Sequence, residues 1–324
     1  MMRLAIEGLG LVGSFGNNPS ALAENARRVL AGQTPLPFED TSTEALKNYL
    51  PVRALRRVDH FTRMTLLSAY AAVEDAGLSP EELNDTGIVL ATGYGPAKLT
   101  FDFLDSVIDF GPGMASPLAF SHSVHNIPAA TVAIKMQING PCFTVSQFET
   151  SVAAAFLTAR SWMAEGRVSR VLLGAVDERT SLLEENTQRI ADILPAGSEG
   201  RRIHPIGESA VFFCLHAEEA KARHGVVDTI LFSRTRPDMP DNTPVFFSGA
   251  ASAERRKSFS QNTYVFSNSY GNLPTAMALD AALAALALQG KLVPAIAPQQ
   301  PIVCVNRDRF DNITSLTIAP REHI

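Results

Sequence analysis

The sequence has few of the residue patterns that mark several large classes of protein. It contains three cysteines, Cys142, Cys214 and Cys304, which lie far apart in apolar runs, so neither a disulfide framework nor a metal site is indicated. It contains no run of lysine and arginine and its formal net charge is −5, which argues against a nucleic-acid partner. No apolar segment is long enough to cross a bilayer, and we expect no signal peptide before the first strand. We therefore expect a soluble, cytoplasmic protein without membrane insertion.

The first apolar run, Leu4–Val12, predicts a strand, and its glycines imitate a cofactor motif. Gly8, Gly10 and Gly13 spell the dinucleotide-binding string G-x-G-x-x-G. In a true fingerprint the helix opens directly at these glycines, whereas here the residues from Ser14 to Pro19 intervene. We therefore expect no nicotinamide or flavin, and we predict no other cofactor and no metal.

Continuous apolar runs alternate with helical patterns through most of the chain. The segments 86–92 and 168–175 are apolar without alternation, as the buried strands of parallel sheets are. Residues 99–110 predict a helix with apolar side chains on one face. A length of 324 residues allows one large α/β domain or two smaller ones.

The stretch Ile138–Arg160 contains the most informative pattern in the sequence, a short apolar run followed by a helix of small residues. A Gly-Pro turn leads into an apolar run, Cys142 to Val145, which predicts a short buried strand with Cys142 pointing into the core. A helix of small apolar residues follows, and Glu149 lies between the strand and the helix. Such a connection projects one side chain, and the helix N-terminus stabilises negative charge there, so it commonly holds a nucleophile. A carboxyl group in this place is unusual.

The same stretch, G-P-x-x-T-V-S followed by T-S and a small-residue helix, resembles the active-site segment of the β-ketoacyl synthases. The long helix after Arg57-Val58-Asp59 and the strand after Ile206-Gly207-Glu208 resemble further segments of that family. The resemblance implies an α/β, thiolase-like fold of five layers, αβαβα, as a single domain over residues 1–324. Its two pseudo-repeated halves would cover about residues 1–222 and 223–324, with the second half shortened. The resemblance also explains the glycines of the first strand without a cofactor.

The resemblance implies where the family's catalytic cysteine and two histidines would stand. Counting from T-V-S puts Glu149 at the place of the cysteine, and the short match around F-S-G-A puts Ser248 at the first histidine. Asn272, after Gly271 and before an Ala-rich helix, takes the place of the second histidine. The terminal loop, which is glycine-rich in the family, falls at residues 309–312 and has lost its glycines.

These replacements bear on the chemistry. A carboxylate accepts an acyl group poorly because the product is a mixed anhydride, and serine and asparagine do not change charge near neutral pH as histidine does. No catalytic residue of the trio is intact, so we expect no independent condensing activity.

This combination resembles the chain-length factor, or ketosynthase-β subunit, of type II polyketide and aryl-polyene systems. The resemblance implies a heterodimer with an active ketosynthase, to which an acyl carrier protein brings the growing polyketide, polyene or fatty-acid-type chain. It further implies that side chains on the helix after the strand at 88–92 form part of the wall of the acyl tunnel. The candidates are Phe101, Leu104 and Ile108. Plain core packing of these three side chains is the alternative.

Two other functions stay open from the sequence. Glu149 could be the acid–base residue of a decarboxylase that acts on malonyl carrier protein. The chain could also be a stand-alone acyl-binding scaffold protein.

Overall fold

The computed structural model describes residues 2–38, 40–193, 206–249, 256–292, 300–308 and 310–321. Its strands are β1 Leu4–Gly13, β2 Gly87–Thr92, β3 Cys142–Ser146, β4 Arg170–Asp177, β5 Ser209–His216, β6 Val226–Ser233, β7 Val245–Gly249, β8 Thr263–Tyr264, β9 Ile302–Arg307 and β10 Ile313–Ala319. Its helices are α1 Pro19–Leu30, α2 His60–Ala76, α3 Ala97–Phe110, α4 Pro117–Ser123, α5 Ile127–Met136, α6 Ser151–Ala164, α7 Ser181–Ile193, α8 Ser267–Tyr270 and α9 Ala276–Leu288.

Local sequence signals set the ends of the longer helices. The carboxylate of Asp59 accepts a hydrogen bond from the backbone N–H of Thr62 at the start of α2, and Gly77 ends that helix with a φ of 71°. Asn18 caps α1 by accepting from the N–H of Ala21, and Pro19 occupies the first turn, where no N–H is required.

The described strands form a single sheet whose two halves share one topology. The strand order is β3-β2-β4-β5-β1-β6-β10-β9-β7-β8. Counted along the chain within each half, both halves run third, second, fourth, fifth, first. In each half the second strand pairs in parallel with the third and fourth, and the fifth pairs antiparallel with the fourth and first. The halves meet where Leu4 and Ala5 of β1 pair with Val227 and Val226 of β6.

Two hydrophobic clusters hold the helices on the sheet. α6 and α9 share one cluster with strands of both halves, and α2 and α5 belong to a second cluster. α9 is buried almost all round, as its uniform Ala and Leu content predicts. The glycines of β1 serve close packing, because a Cβ on Gly8 or Gly10 would lie 2.3 or 2.1 Å from backbone oxygens of α2.

The second half is shorter between its first two strands. The first half places α1 and α2 between β1 and β2, whereas residues 234–244 between β6 and β7 form no helix. The charged segment 217–224, for which the sequence predicts a helix, forms only a short 3₁₀ turn at Glu219–Lys221. That prediction is wrong because the backbone there is bound elsewhere: the N–H groups of Arg223 and His224 both donate to the carbonyl of Ile6.

The strand β3 lies at an edge of the sheet, and this overturns its predicted burial. Cys142 and Phe143 are exposed, and Val145 is the buried residue of the strand. An apolar strand that is parallel to one neighbour reads as buried in a sequence, but an edge position leaves its outer side uncovered. Among the described residues, no helix is both long and apolar enough to span a membrane.

Candidate functional site

Glu149 lies in the connection between β3 and α6. β3 ends at Ser146, a 3₁₀ turn covers Phe148–Thr150, and α6 starts at Ser151. This position agrees with the strand-to-helix elbow that the sequence predicts. The side chain of Glu149 is half-buried. The elbow therefore presents a carboxyl group, where a nucleophile commonly stands.

Two hydrogen bonds of Ser151 hold the elbow turn in place, and the backbone of the turn is strained. The hydroxyl of Ser151 accepts from the N–H of Gln147 at 2.7 Å and donates to the carbonyl of Thr92 at 2.9 Å. Phe148 has a φ of 47°, a conformation that costs a non-glycine residue about 1 kcal/mol or more. Its ring meets the ring of Tyr94 edge-on, with centroids 5.9 Å apart. Such strain is typical of functional sites.

Asp177, at the end of β4, binds the loop that follows β2. Its Oδ1 accepts from the hydroxyl of Thr92 at 3.0 Å and from the N–H groups of Gly93 and Tyr94 at 2.9 and 3.1 Å. Its Oδ2 accepts from the hydroxyl and N–H of Thr275 at 2.9 and 3.3 Å. Burial raises the pKa of Asp177, while these hydrogen bonds act in the opposite direction.

Ser248 lies in a buried polar row on the second half of the sheet. It is opposite Asn306 of β9, and Asn306 is opposite Thr314 of β10, so the three side chains share one face. The amide of Asn306 and the hydroxyl of Thr314 have no hydrogen-bond partner in the described part of the chain, although both are buried. The elbow turn lies beside β9. Buried polar atoms are normally paired, so this row has hydrogen-bonding capacity left for a water molecule or another polar group.

Asp280 is a carboxyl group inside the otherwise apolar helix α9. It is fully buried, and its Oδ1 accepts from the hydroxyl of Tyr270 at 2.7 Å. Burial raises the pKa of Asp280 to about 7, and hydrogen bonds from Tyr270 and Ser248 act in the opposite direction. A carboxyl group with this pKa exchanges its proton near neutral pH.

Asn272 lies at the surface just before α9. Its backbone carbonyl accepts from the N–H of Gly207 at 3.3 Å, and its side chain is exposed. Glu149, Ser248 and Asn272 thus lie in the turn before α6, in β7 and just before α9, respectively. Within the described ranges, no hydrogen bond joins their side chains to one another.

The three candidate tunnel residues are on the surface of the chain. Phe101, Leu104 and Ile108 of α3 are 40%, 44% and 78% exposed. Ala97 is the buried residue of this helix. Plain core packing within this chain is thus excluded for them. Phe101 also lines a groove of about 480 Å³ between α3 and the start of α7, with Asp102, Arg179 and Glu185 among its other walls.

Among the described residues, no cysteine lies in the elbow turn, which is formed by Gln147, Phe148, Glu149 and Thr150. Cys142 is exposed at the opposite end of β3, four residues from Ser146, which is roughly 13 Å along a strand. Cys214 and Cys304 are buried in β5 and β9, where burial raises their thiol pKa values. In the part of the chain that the structure describes, no group of three or more His, Cys, Asp or Glu side chains could hold a metal ion. Of the predicted terminal loop, Arg309 lies outside the described residues.

Sequence reasoning missed three residues that shape this region: Asp177, Asp280 and Asn306. An Asp after a buried apolar run and an Asp inside an Ala/Leu helix were visible signals. Their partners were not visible, because Thr92 and Thr275 are 85 and 98 residues away from Asp177 in the chain.

Solved structures with this fold cover nearly the whole chain. One is a type II polyketide synthase acyl carrier protein in complex with its ketosynthase bound to the hexaketide (TM-score 0.79, 16% identity, 98% of this chain and 99% of that chain). Another is the ishigamide ketosynthase/chain length factor (TM-score 0.77, 17% identity, 99% and 100%). At these identities the likeness shows the fold alone, which is the α/β, thiolase-like fold of ketosynthases.

Sequence comparison gives the family. The chloroplastic 3-oxoacyl-[acyl-carrier-protein] synthase I of Arabidopsis thaliana is 22% identical over 194 residues, 54% of this chain and 40% of that protein. The 3-oxoacyl-[acyl-carrier-protein] synthase 2 of Coxiella burnetii is 26% identical over 156 residues, 44% and 38%. The chain thus spans about two-fifths of the length of these curated relatives. The family described as "Beta-ketoacyl synthase, N-terminal domain" matches residues 2–184, more than half of the sequence. This chain therefore belongs to the β-ketoacyl synthase family.

Proposed function

We propose that the chain is a non-condensing ketosynthase-like subunit, of the chain-length-factor type. It pairs with an active ketosynthase and forms part of the wall of the acyl tunnel in polyketide, polyene or fatty-acid-type biosynthesis. An acyl carrier protein brings the growing chain to the active partner. The observation that carries this proposal is the concentration of exposed apolar side chains within residues 94–157, the stretch whose elbow holds Glu149 in place of a nucleophile.

The exposed apolar side chains are concentrated in one part of the sequence. Thirteen of the twenty large apolar side chains that are exposed among the described residues lie between Tyr94 and Leu157. We call this set the apolar face: Tyr94, Phe101, Leu104, Ile108, Phe110, Met114, Leu118, Phe120, Val124, Ile134, Phe143, Phe148 and Leu157. A large apolar surface on a folded protein marks an interaction site. A partner protein that covers the apolar face explains its composition.

The edge strand supports a partner of the same fold. β3 belongs to the apolar face through Phe143, and its outer side offers backbone N–H and C=O groups that no strand of this chain pairs in the described residues. A second sheet edge can pair with such a strand and extend the sheet across the interface. The solved structures of similar fold include the ishigamide ketosynthase/chain length factor, whose name gives both types of subunit.

The position of α3 supports a role in bounding the partner's tunnel. The helix lies on the surface with Phe101, Leu104 and Ile108 exposed, and it packs against α4, where Phe103 contacts Phe120. Once a partner covers this surface, the three side chains face the partner and not water. Apolar side chains at that place can stop a growing acyl chain by filling the space ahead of it.

Glu149 favours a non-condensing role and also offers the strongest alternative. It provides no thiol for an acyl intermediate, but the carboxyl group of a half-buried Glu at an elbow can give a proton to the enolate that forms when malonyl carrier protein loses carbon dioxide. A malonyl decarboxylase that uses Glu149 would act without a partner. A stand-alone acyl-binding scaffold would need neither the partner nor Glu149.

Reconstitution separates these three functions. A ketosynthase from the same organism with an intact Cys and two His is co-expressed with this chain, and each is also purified alone. We expect a stable pair that elongates acyl carrier protein substrates, whereas this chain alone neither elongates them nor releases carbon dioxide from malonyl carrier protein. Release of carbon dioxide by the chain alone, abolished in Glu149→Gln, would establish the decarboxylase. A soluble chain that does not bind the co-expressed ketosynthase would favour the stand-alone acyl-binding scaffold.

A further inference from the structure

We infer that Asp177 is a positioning residue that holds the loop after β2, the elbow turn and the start of α9 in one fixed arrangement. Through that arrangement it sets where the tunnel wall on α3 stands. The second statement rests on the proposed function; the first concerns the chain by itself.

The carboxylate of Asp177 is the centre of a closed hydrogen-bond set. It is fully buried and accepts five hydrogen bonds, all from neutral donors of residues 92–94 and Thr275. Oδ1 accepts hydrogen bonds from residues 92–94 in the first half of the chain, and Oδ2 accepts hydrogen bonds from Thr275 in the second half. A buried carboxylate with both oxygens used in this way fixes the distance between the two segments that it binds.

The same set reaches the elbow through Thr92. The carbonyl of Thr92 accepts from the hydroxyl of Ser151, which in turn accepts from the N–H of Gln147. One residue further along the loop, the ring of Tyr94 packs on Phe148, the neighbour of Glu149. Any displacement of residues 92–94 is therefore passed to the turn that carries Glu149.

The packing at this junction leaves no room for adjustment. A Cβ on Gly93 would lie 2.3 Å from the Cβ of Pro274, so the backbone of the β2 loop touches the segment that starts α9. A Cβ on Gly95, whose φ is 65°, would lie 2.5 Å from the ring of His125. The loop is thus closely packed on both sides, at Pro274 and at His125, and Asp177 binds it between these contacts.

The loop leads directly into the tunnel wall. α3 begins at Ala97, two residues after Gly95, and carries Phe101 and Leu104. The hydrogen bonds of Asp177 end on residues 92–94 and on Thr275, so any effect on the candidate tunnel side chains passes through the loop. We infer that a looser junction moves α3 and changes the stopping point of the acyl chain.

The test uses the reconstituted pair and four variants of this chain. Asp177→Asn keeps the size of the side chain but turns one acceptor into a donor facing N–H groups, and Thr275→Val removes only the hydroxyl on Oδ2. Thr275→Ser restores that hydroxyl. Glu7→Gln is the matched control, because Glu7 is also a buried carboxylate, bonded to Arg170 at the opposite end of β4.

Two measurements give distinct outcomes. In the isolated chain, we expect Asp177→Asn and Thr275→Val to accelerate amide hydrogen exchange at least tenfold at residues 93–98 and 148–152, with Thr275→Ser and Glu7→Gln near the wild type there. Unchanged exchange at 148–152, or an equal effect of Glu7→Gln, overturns the inference. In the pair, the product length should change for Asp177→Asn and Thr275→Val. It should not change for Glu7→Gln, compared under conditions in which the variants have lost the same amount of melting temperature relative to the wild type.

Leu104→Ala in the same pair tells the two proposals apart. If Leu104→Ala shifts the product and Asp177→Asn and Thr275→Val do not, the positioning role in the tunnel is wrong. If Leu104→Ala and the junction variants all leave the product unchanged, the tunnel-wall role that the proposed function gives to α3 is wrong, and the exchange data alone decide the fixed arrangement. If Asp177→Asn does not fold, Thr275→Val decides each comparison.

Discussion

At the scale of single residues, the chemistry of this chain depends on what its elbow offers. Glu149 occupies the strand-to-helix turn, Ser248 lies buried in β7, and Asn272 is exposed before α9. The position of Glu149 could be predicted from the sequence because strand, turn and helix follow one another without a gap. The buried carboxyls Asp177 and Asp280 could not be assigned, because their environments are built by segments distant in the chain.

Removing a side chain from α3 should lengthen the product of the pair. Leu104→Ala opens space where the proposed tunnel ends, so we expect a product longer by at least one extension unit, measured by mass spectrometry of the released chains. Leu231→Ala is the matched control, since Leu231 is about as exposed but lies outside the apolar face. An unchanged product for Leu104→Ala and Phe101→Ala, with the pair intact, would place the wall elsewhere.

Asp280 should make the stability of the chain depend on pH. Its folded pKa of about 7 is far above the value of roughly 3.9 in an unfolded chain, so between these values the folded state holds a proton that the unfolded state has lost. The contribution of Asp280 is therefore full at low pH and is lost as the pH rises to about 7.

The variant Asp280→Asn isolates this effect, because the amide does not titrate. Relative to the wild type, its free energy of unfolding should rise with pH by up to about 1.4 kcal/mol per pH unit between pH 4 and 7, measured by urea denaturation. Parallel curves for the two proteins over this range would show that Asp280 is ionised throughout.

At the scale of elements, the sequence predicted most strands and helices but not which of them are exposed. The strand at 86–92 and the helix at 99–110 were placed within two residues of β2 and α3. The run from Cys142 was recognised as a strand but wrongly taken as buried. Whether a strand is buried depends on its position in the sheet. For β3 that position is an edge, because the later strand β4 pairs with the other side of β2 and no strand pairs with the outer side of β3 among the described residues.

A charge on the edge strand should dissociate the pair without unfolding the chain. Phe143→Asp would bury an unpaired carboxylate at the proposed interface, which costs about 3 kcal/mol or more and weakens binding roughly 100-fold. Phe232→Asp, an exposed strand Phe outside the apolar face, should bind as the wild type does. Binding is measured by sedimentation at graded concentrations, with circular dichroism to check folding. Equal affinity for both variants would exclude β3 from the interface.

At the scale of the whole molecule, one strand order is used twice. The second half repeats the order of the first with fewer connecting residues, since no helix separates β6 from β7. The sequence predicted the shortened second half from its length and from a family resemblance. The apolar face could not be predicted from the sequence. Its side chains lie within 64 consecutive residues, on α3, α4, α5, β3, α6 and the loops between them, and the sequence patterns of these elements are those of ordinary core helices and strands.

The central claim is that this chain works as one member of a pair with an active ketosynthase. Native mass spectrometry of the co-expressed proteins tests it most directly. The account predicts a one-to-one complex that persists through purification and is lost in Phe143→Asp. A mass corresponding to a monomer or to a homodimer of this chain, with the ketosynthase free in the same sample, would contradict it.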